Sequence, residues 1–332
     1  MLNIIIGLIM FMFLVLVHEF GHFAVAKLSG IKVNEFSIGM GPVATKFTKG
    51  ETQYSIRMLP LGGFVSMEGE DEDSDDIRSY SKSKPSSRFM TILAGPLMNL
   101  FLAFLIFFGI YAISGAPSTT IEDVFKDSPA YVAGLKQDDE ILSVNGKSTP
   151  TFSYVSKYLN NSNGEPVTLE VQRDGQASSI QITPEQQEGR YIIGFTPKAK
   201  TGIWFSVVQA FHQVIFIIVL LWETLVMMFT GLLGFDQVGG PIAVIQQVGQ
   251  ASALGFQSLM VFTAMISINL GFFNLLPIPA LDGSKLLFII IEKIIGKPLN
   301  QRFEQIVTIA GFVFLMGLII VVSIKDVFTL FK

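Results

Sequence analysis

The sequence predicts a multi-span α-helical membrane protein with a cytoplasmic β-hairpin region after its first span and a separate β-rich domain inserted after its second. Three observations predict it. Of 332 residues, 50% are hydrophobic and 15% are charged, against about 25% charged in soluble domains. Long apolar runs recur at about 2–26, 89–114, 203–235, 256–295 and 303–324, and a helical span needs about 20 such residues. Between the first two runs, and again over 117–200, the chain is polar, alternating and punctuated by Gly and Pro, as strands and turns require. The absence of Cys excludes disulfides, thiolate ligands and cysteine catalysis. A net charge of -4 gives no ground for nucleic-acid binding.

The first run carries Ala24-Val25-Ala26, which looks like a signal-peptide cleavage site. "MLN" has no Lys or Arg, however, and the apolar stretch is interrupted by His-Glu, so a retained span is expected. That interruption is His18, Glu19 and His22, an H-E-x-x-H pattern. Residues i and i+4 share one helix face. Two imidazoles therefore point the same way with a carboxylate beside them, the pattern of a zinc site whose Glu activates water. Ionisable groups inside a span cost about a few kcal/mol each and mark function by default. His18 lies about 24 Å of helix from Leu2, near the end that enters the next loop.

Residues 27–88 hold strand-like stretches such as "TQYSIRM", with Gly39, Gly41, Pro42, Gly62 and Gly63 as punctuation. A small sheet or hairpin is expected, followed by a solvated acidic loop, "EGEDEDSDD". This segment has nine Lys and Arg, the stretch 201–284 has none, and Lys285, Lys293, Lys297 and Arg302 follow. Basic short loops stay cytoplasmic, so 27–88 and 285–302 are expected inside and 236–255 outside. One span after the inner loop places 117–200 outside as well. Both flanks of 203–235 are then external, which predicts an amphipathic or re-entrant helix. A full span is the alternative, because hydropathy alone would make it one. His212, in that run, has no neighbouring ligands and reads as a polar-face residue.

The fourth run is too long for one straight span and is interrupted by "PIPALDG", where Pro277, Pro279 and Gly283 should break the helix. Broken backbone in a membrane is tolerated only where protein buries it or it lines a wet cavity. Catalytic zinc needs three protein ligands and an open position. Without Cys or a third well-placed His, the third ligand must be Asp or Glu, and Asp282 is the aspartate deep in this apolar run. Its place toward the inner end of the run matches the depth of His18. A polar helix end meeting headgroups, with Lys285 close by, is the plainer alternative.

"HEFGH" in the first span, "AGPLMN" opening the second and "NLLPIPALDG" in a later one together resemble the site-2 protease family of intramembrane zinc metalloproteases, in the bacterial sigma-factor-regulating branch with one PDZ domain. The resemblance implies Zn2+ held by His18, His22 and Asp282, Glu19 as general base, and Asn274 as a polar contact to the substrate backbone. It also implies a membrane-associated β-hairpin region over about 33–67, whose edge strand pairs with unwound substrate. "VFKDSPAYVAGLKQDDEILSVNGKS", residues 124–148, resembles a PDZ core. Gly95, Pro96 and Asn99 match the family's second-span motif, with close helix packing as the expected role.

The expected organisation is 1–116 with two spans and the hairpin loop, 117–200 as an extracytoplasmic PDZ-like domain, and 201–332 with an outer-face helix and two spans. The expected function is cleavage within the span of single-pass substrates, such as anti-sigma factors or signal-peptide remnants, at the cytoplasmic side of a bacterial cell membrane. The PDZ ligand is not identified. An inactive PDZ membrane scaffold and a metal transporter compete with this reading; Glu19 argues against both, since neither needs a base beside its ligands.

Overall fold

The computed structural model describes residues 2–70, 72, 74–234 and 239–330. The chain begins α1 (Leu2–Leu28), β1 (Val33–Lys49), β2 (Thr52–Met67) and α2 (Pro85–Ser114). There follow β3 (Ala116–Val124), α3 (Pro129–Val132), β4 (Glu140–Val144), β5 (Lys147–Ser148), α4 (Phe152–Asn160), β6 (Val167–Arg173), β7 (Gln176–Ile182), β8 (Glu185–Gln187), β9 (Arg190–Ile192) and β10 (Phe195–Lys200). It continues with α5 (Ile203–Phe229), α6 (Pro241–Ala253), α7 (Phe256–Leu275), α8 (Asp282–Ile295) and α9 (Gln301–Leu330).

Among the described residues, five helices are long and apolar enough to cross a membrane: α1, α2, α5, α7 and α9. The protein is a multi-pass membrane protein. α5 is one unbroken helix of 27 residues. It does not turn back on itself, which removes the re-entrant form; a surface helix and a span remain the two descriptions of it. The segment expected as an outer loop, 236–255, contains α6, and its residues 236–238 lie outside the described ones. "PIAVIQQVGQASA" is too mixed in polarity to announce a helix. Its burial comes from Val248, which packs with Met10 and Leu14 of α1.

Two compact units divide the chain. The first comprises Met1–Ala103 and Leu221–Lys332, the second Phe104–Leu220. In the first unit, α6 packs beside the opening turns of α1, with Val248 against Gly7 and Gly249 against Asn3. The N-terminal turn of α6 is capped by Asp326 near the end of α9, which accepts from the Gly240 and Ala243 amides at 3.2 and 3.0 Å. The hairpin leaves the opposite end of α1. There a core of Ala26, Ile31, Val33, Met67, Tyr80, Ile92, Leu286 and Ile289 joins α1, both ends of the hairpin, α2 and α8.

The hairpin is more than two long strands. Residues 35–38 are flanked on both sides, by 53–56 and by 63–66, because β2 folds back past Gly62 at φ +73°. Its last segment, 63–67, therefore lies at an edge of the curled sheet. The acidic stretch after it is tethered near its two ends, where Glu68 accepts from Asn34 and Ser74 and Lys32 donates to Asp76, while Glu72 and Asp75 are exposed as a solvated loop requires. Asp71 and Asp73 lie outside the described residues.

The fourth apolar run is two helices, α7 and α8, separated by 276–281. Within the break Ala280 holds φ +74°, a backbone region that non-glycine residues seldom occupy outside constrained sites. Gly283 does not break the helix as expected. It is the second residue of α8, and a Cβ there would collide with the main chain of Leu275 and Leu276. Its small size thus lets α8 restart tightly against the end of α7. The α8 helix, at 14 residues, is too short to span.

The second unit is built on an antiparallel sheet of order β10-β3-β4-β6-β7, with β5 paired to β4. Alternating residues such as Val167, Leu169 and Val171 face one core with Val155 and Leu159 of α4. Ser128 caps α3, accepting from the Tyr131 amide at 3.2 Å, with Pro129 opening the helix.

Candidate active site

His18 and His22 stand one turn apart on α1, both 7% exposed, so the i, i+4 face is turned into the protein. Asp282 is the first residue of α8, at the positive end of that helix, where a carboxylate is favoured. Its Oδ2 is 3.0 Å from His18 Nε2 and 3.3 Å from His22 Nε2, and the two Nε2 atoms are 3.2 Å apart. The chain thus brings together residues 260 positions apart in sequence, through the same packing of α8 on α1 and α2 that forms the core beneath them.

The chemistry of these atoms suits a zinc ion. The Nδ1–H of His22 donates to the Thr91 carbonyl at 2.8 Å, which leaves a lone pair on Nε2. Asp282 Oδ2 is buried without a hydrogen-bond partner. With His18 Nε2 likewise unprotonated, three lone pairs crowded this closely repel one another unless a cation lies between them. Ligands about 2.0–2.1 Å from a tetrahedral zinc stand about 3.3–3.4 Å apart, close to the three separations found. The donor set fits zinc, and His18, His22 and Asp282 form the His/Asp/Glu cluster with metal-ligand spacing among the described residues.

A polar cavity of about 420 Å³ opens on this cluster. Glu19, residues 64–67 of the edge strand, Glu70, Ile92 and Lys285 complete its lining. Glu19 is half-buried and packs beside Gly63, its Cγ 3.6 Å from where a Cβ on that glycine would stand. Lys285 donates to Glu70 at 2.7 Å across the far wall. The close fit of α2 over the histidines depends on Gly95, whose Cβ would collide with His22 Nε2.

Asn274 is in the last turn of α7, half-buried, and is not among the cavity's lining residues. His212 lies on α5, outside the metal-spaced cluster. Two partners were not foreseen from sequence: the Thr91 carbonyl and Asn99, whose side-chain amide lies 3.1 Å from His18 Nδ1. Asn99 was visible in "AGPLMN", but nothing in the sequence ties position 99 to position 18.

Comparison with known proteins agrees with this chemistry. The description Peptidase family M50 matches residues 6–318. A protein of Clostridium perfringens named as a candidate zinc metalloprotease is 38% identical over 328 residues, covering 98% of each chain. Similarly named proteins of Staphylococcus aureus and Fusobacterium nucleatum are 30% identical over 98% of each chain and 31% identical over the whole of each. The PDZ domain of an SdrC-like protein from Listeria monocytogenes aligns with 24% of this chain and 87% of its own at 19% identity and TM-score 0.23, too distant to argue from. By the extent of the family match and of these relatives, the chain belongs to peptidase family M50, the site-2 proteases, and is a zinc metalloprotease of the membrane.

Proposed function

We propose that this protein hydrolyses peptide bonds within the membrane spans of single-pass proteins, with His18, His22 and Asp282 holding the zinc and Glu19 as general base. The observation that carries the reading is the convergence of two histidines inside an apolar helix on an otherwise unpartnered aspartate oxygen. Zinc held there supplies Lewis acidity, activating water and polarising a carbonyl. Glu19 follows a ligand by one residue and lines the same cavity. It takes the proton from the attacking water and returns it to the leaving amine. A helical substrate hides its peptide bonds in its own hydrogen bonds. The open edge at 63–67, which lines the cavity beside Glu19, supports local unwinding by offering main-chain partners to an extended segment. The reading needs no step from Asn274.

Basic residues support a cytoplasmic hairpin, and the packing of α6 at the other end of α1 supports the opposite face for 239–255. The reading places the second unit on that outer face as a PDZ-type module in a bacterial cell membrane. Its substrates are single-span proteins already trimmed outside, of the anti-sigma-factor or signal-peptide-remnant kind.

Glu19→Gln tests the reading. It keeps size and hydrogen bonding but removes the base, and general acid–base catalysis contributes about 10²- to 10⁴-fold. With a single-span substrate in detergent, the variant should bind zinc normally and cut slower by at least about 10²-fold. Near-normal turnover would remove Glu19 from the mechanism.

A further inference from the structure

We propose that Asn99 is a positioning residue that fixes the ring of His18 for metal binding by accepting the His18 Nδ1 proton through its side-chain oxygen. The inference rests on His18 as a ligand. Asn99 is fully buried, and its main-chain carbonyl accepts from Ser267 Oγ at 2.8 Å, so α7 holds that stretch of α2 in place. Its Nδ2 lies 3.1 Å from His18 Nδ1. That orientation makes Nδ1 an acceptor and moves the ring proton to Nε2, the atom 3.0 Å from Asp282 Oδ2 and aimed at the metal position. A histidine whose Nε2 carries the proton has no lone pair to give.

The oxygen and nitrogen of an amide are nearly isosteric and are assigned from their hydrogen bonds. No hydrogen bond holds Asn99 Oδ1 in its place: it is buried without a partner. Rotating the amide by half a turn breaks no bond of that oxygen. It places Oδ1 against His18 Nδ1–H and frees Nε2. His22 already shows the same arrangement, with Nδ1–H donated to the Thr91 carbonyl at 2.8 Å. α2 then orients both rings, one through main chain at 91 and one through a side chain at 99, two turns further along the helix. Outer partners of this kind fix tautomer and ring orientation, and their loss weakens metal binding about 10- to 100-fold.

Two substitutions in the full-length protein separate acceptor from donor and from simple packing. Asn99→Asp can only accept, while Asn99→Leu can do neither. Zinc affinity is read by competition with a chromophoric chelator, ligand geometry by the visible spectrum of the Co(II)-loaded protein, and structure by thermal unfolding of the zinc-free forms. Asn99→Asp should hold zinc within about threefold of wild type, and Asn99→Leu about 10- to 100-fold more weakly with an altered Co(II) spectrum, at similar zinc-free stability. Should the leucine variant not fold, Asn99→Ala removes the amide without adding volume and gives the same contrast. Wild-type affinity in both amide-free variants overturns the proposal, as does an Asp variant as weak as they are. His18→Ala with undiminished zinc would instead overturn the ligand set, a separate failure.

Discussion

Gly95→Ala adds one methyl group where α2 crosses over the two histidines. The new Cβ would collide with His22 Nε2 and stand 2.9 Å from His18 Nε2. Ordinary contacts are about 3.5–4.0 Å, so the His18 ring must retreat by at least about half an ångström, and His22 by more. α2 cannot simply lift away, because a few residues along Gly21 of α1 faces Ala94 and Met98 just as closely. Overpacking of this sort costs about 1–3 kcal/mol. If displaced ligands absorb it, zinc affinity falls about 5- to 150-fold, at about 1.4 kcal/mol per tenfold. Chelator competition on the full-length protein measures that loss, with peptide cleavage followed in parallel. Gly109→Ala is the control: it lies on the same helix with nothing within 4 Å of its new Cβ. It should leave zinc binding and turnover unchanged. A Gly95→Ala protein with wild-type zinc affinity and full turnover would refute the packing argument.

Asp282→Ala should lose zinc and cleavage while still inserting in the membrane; full metal content with full activity would exclude it as the third ligand. A reporter near Ser74 should read cytoplasmic, and reporters near Gly164 and within α6 should read external; a cytoplasmic signal from α6 would show that α5 crosses. In the second unit, burial opposes ionisation of Asp139, but the Arg173 guanidinium at 2.7 Å and the Lys136 amide outweigh it and hold the carboxyl below its ordinary value. Its contribution is therefore complete above the unfolded value of about 3.9 and is lost as pH falls through the lower folded value. Hydrogen exchange in residues 116–200 should quicken over that acid range. Asp139→Asn should abolish this dependence and cost about 1.5–3 kcal/mol; an unchanged acid response in the variant would exclude the pair as its source.

The histidine pair was legible because a helix period converts a spacing of four residues into a shared face without any tertiary knowledge. Asp282 was legible for a different reason: an ionisable group among Pro residues in an apolar run conflicts with every local preference, and such conflicts concentrate at functional sites. Turn residues and alternation marked a small sheet or hairpin within 27–88, and its bounds near Val33 and Met67 followed from the family resemblance. What stayed hidden depends on contacts remote in sequence. Helix α6 owes its burial to α1 and its cap to Asp326, 86 positions after Gly240. Gly283 looked like a helix breaker because composition does not reveal that Leu276 presses against it. Asn99 looked like a packing residue because its ring partner is 81 positions away. The fold-back of β2 that makes 63–67 an edge follows from pairing on both sides of 35–38, which alternation cannot encode.

If that edge pairs with unwound substrate as proposed, selectivity follows from it. A strand that offers only amides and carbonyls recognises no particular side chain. Choice among substrates then passes to the ease with which each helix surrenders its own hydrogen bonds. Glycines and other poor helix formers near the cut lower that cost by about 0.5–1 kcal/mol apiece. A proline assists fraying too, yet where its missing N–H should meet a carbonyl of 63–67 it leaves a rung empty. Under the proposed cleavage of spans, an enzyme arranged this way tests the mechanical weakness of a span rather than its spelling, and two substrates unrelated in sequence become equivalent once they unwind at the same depth.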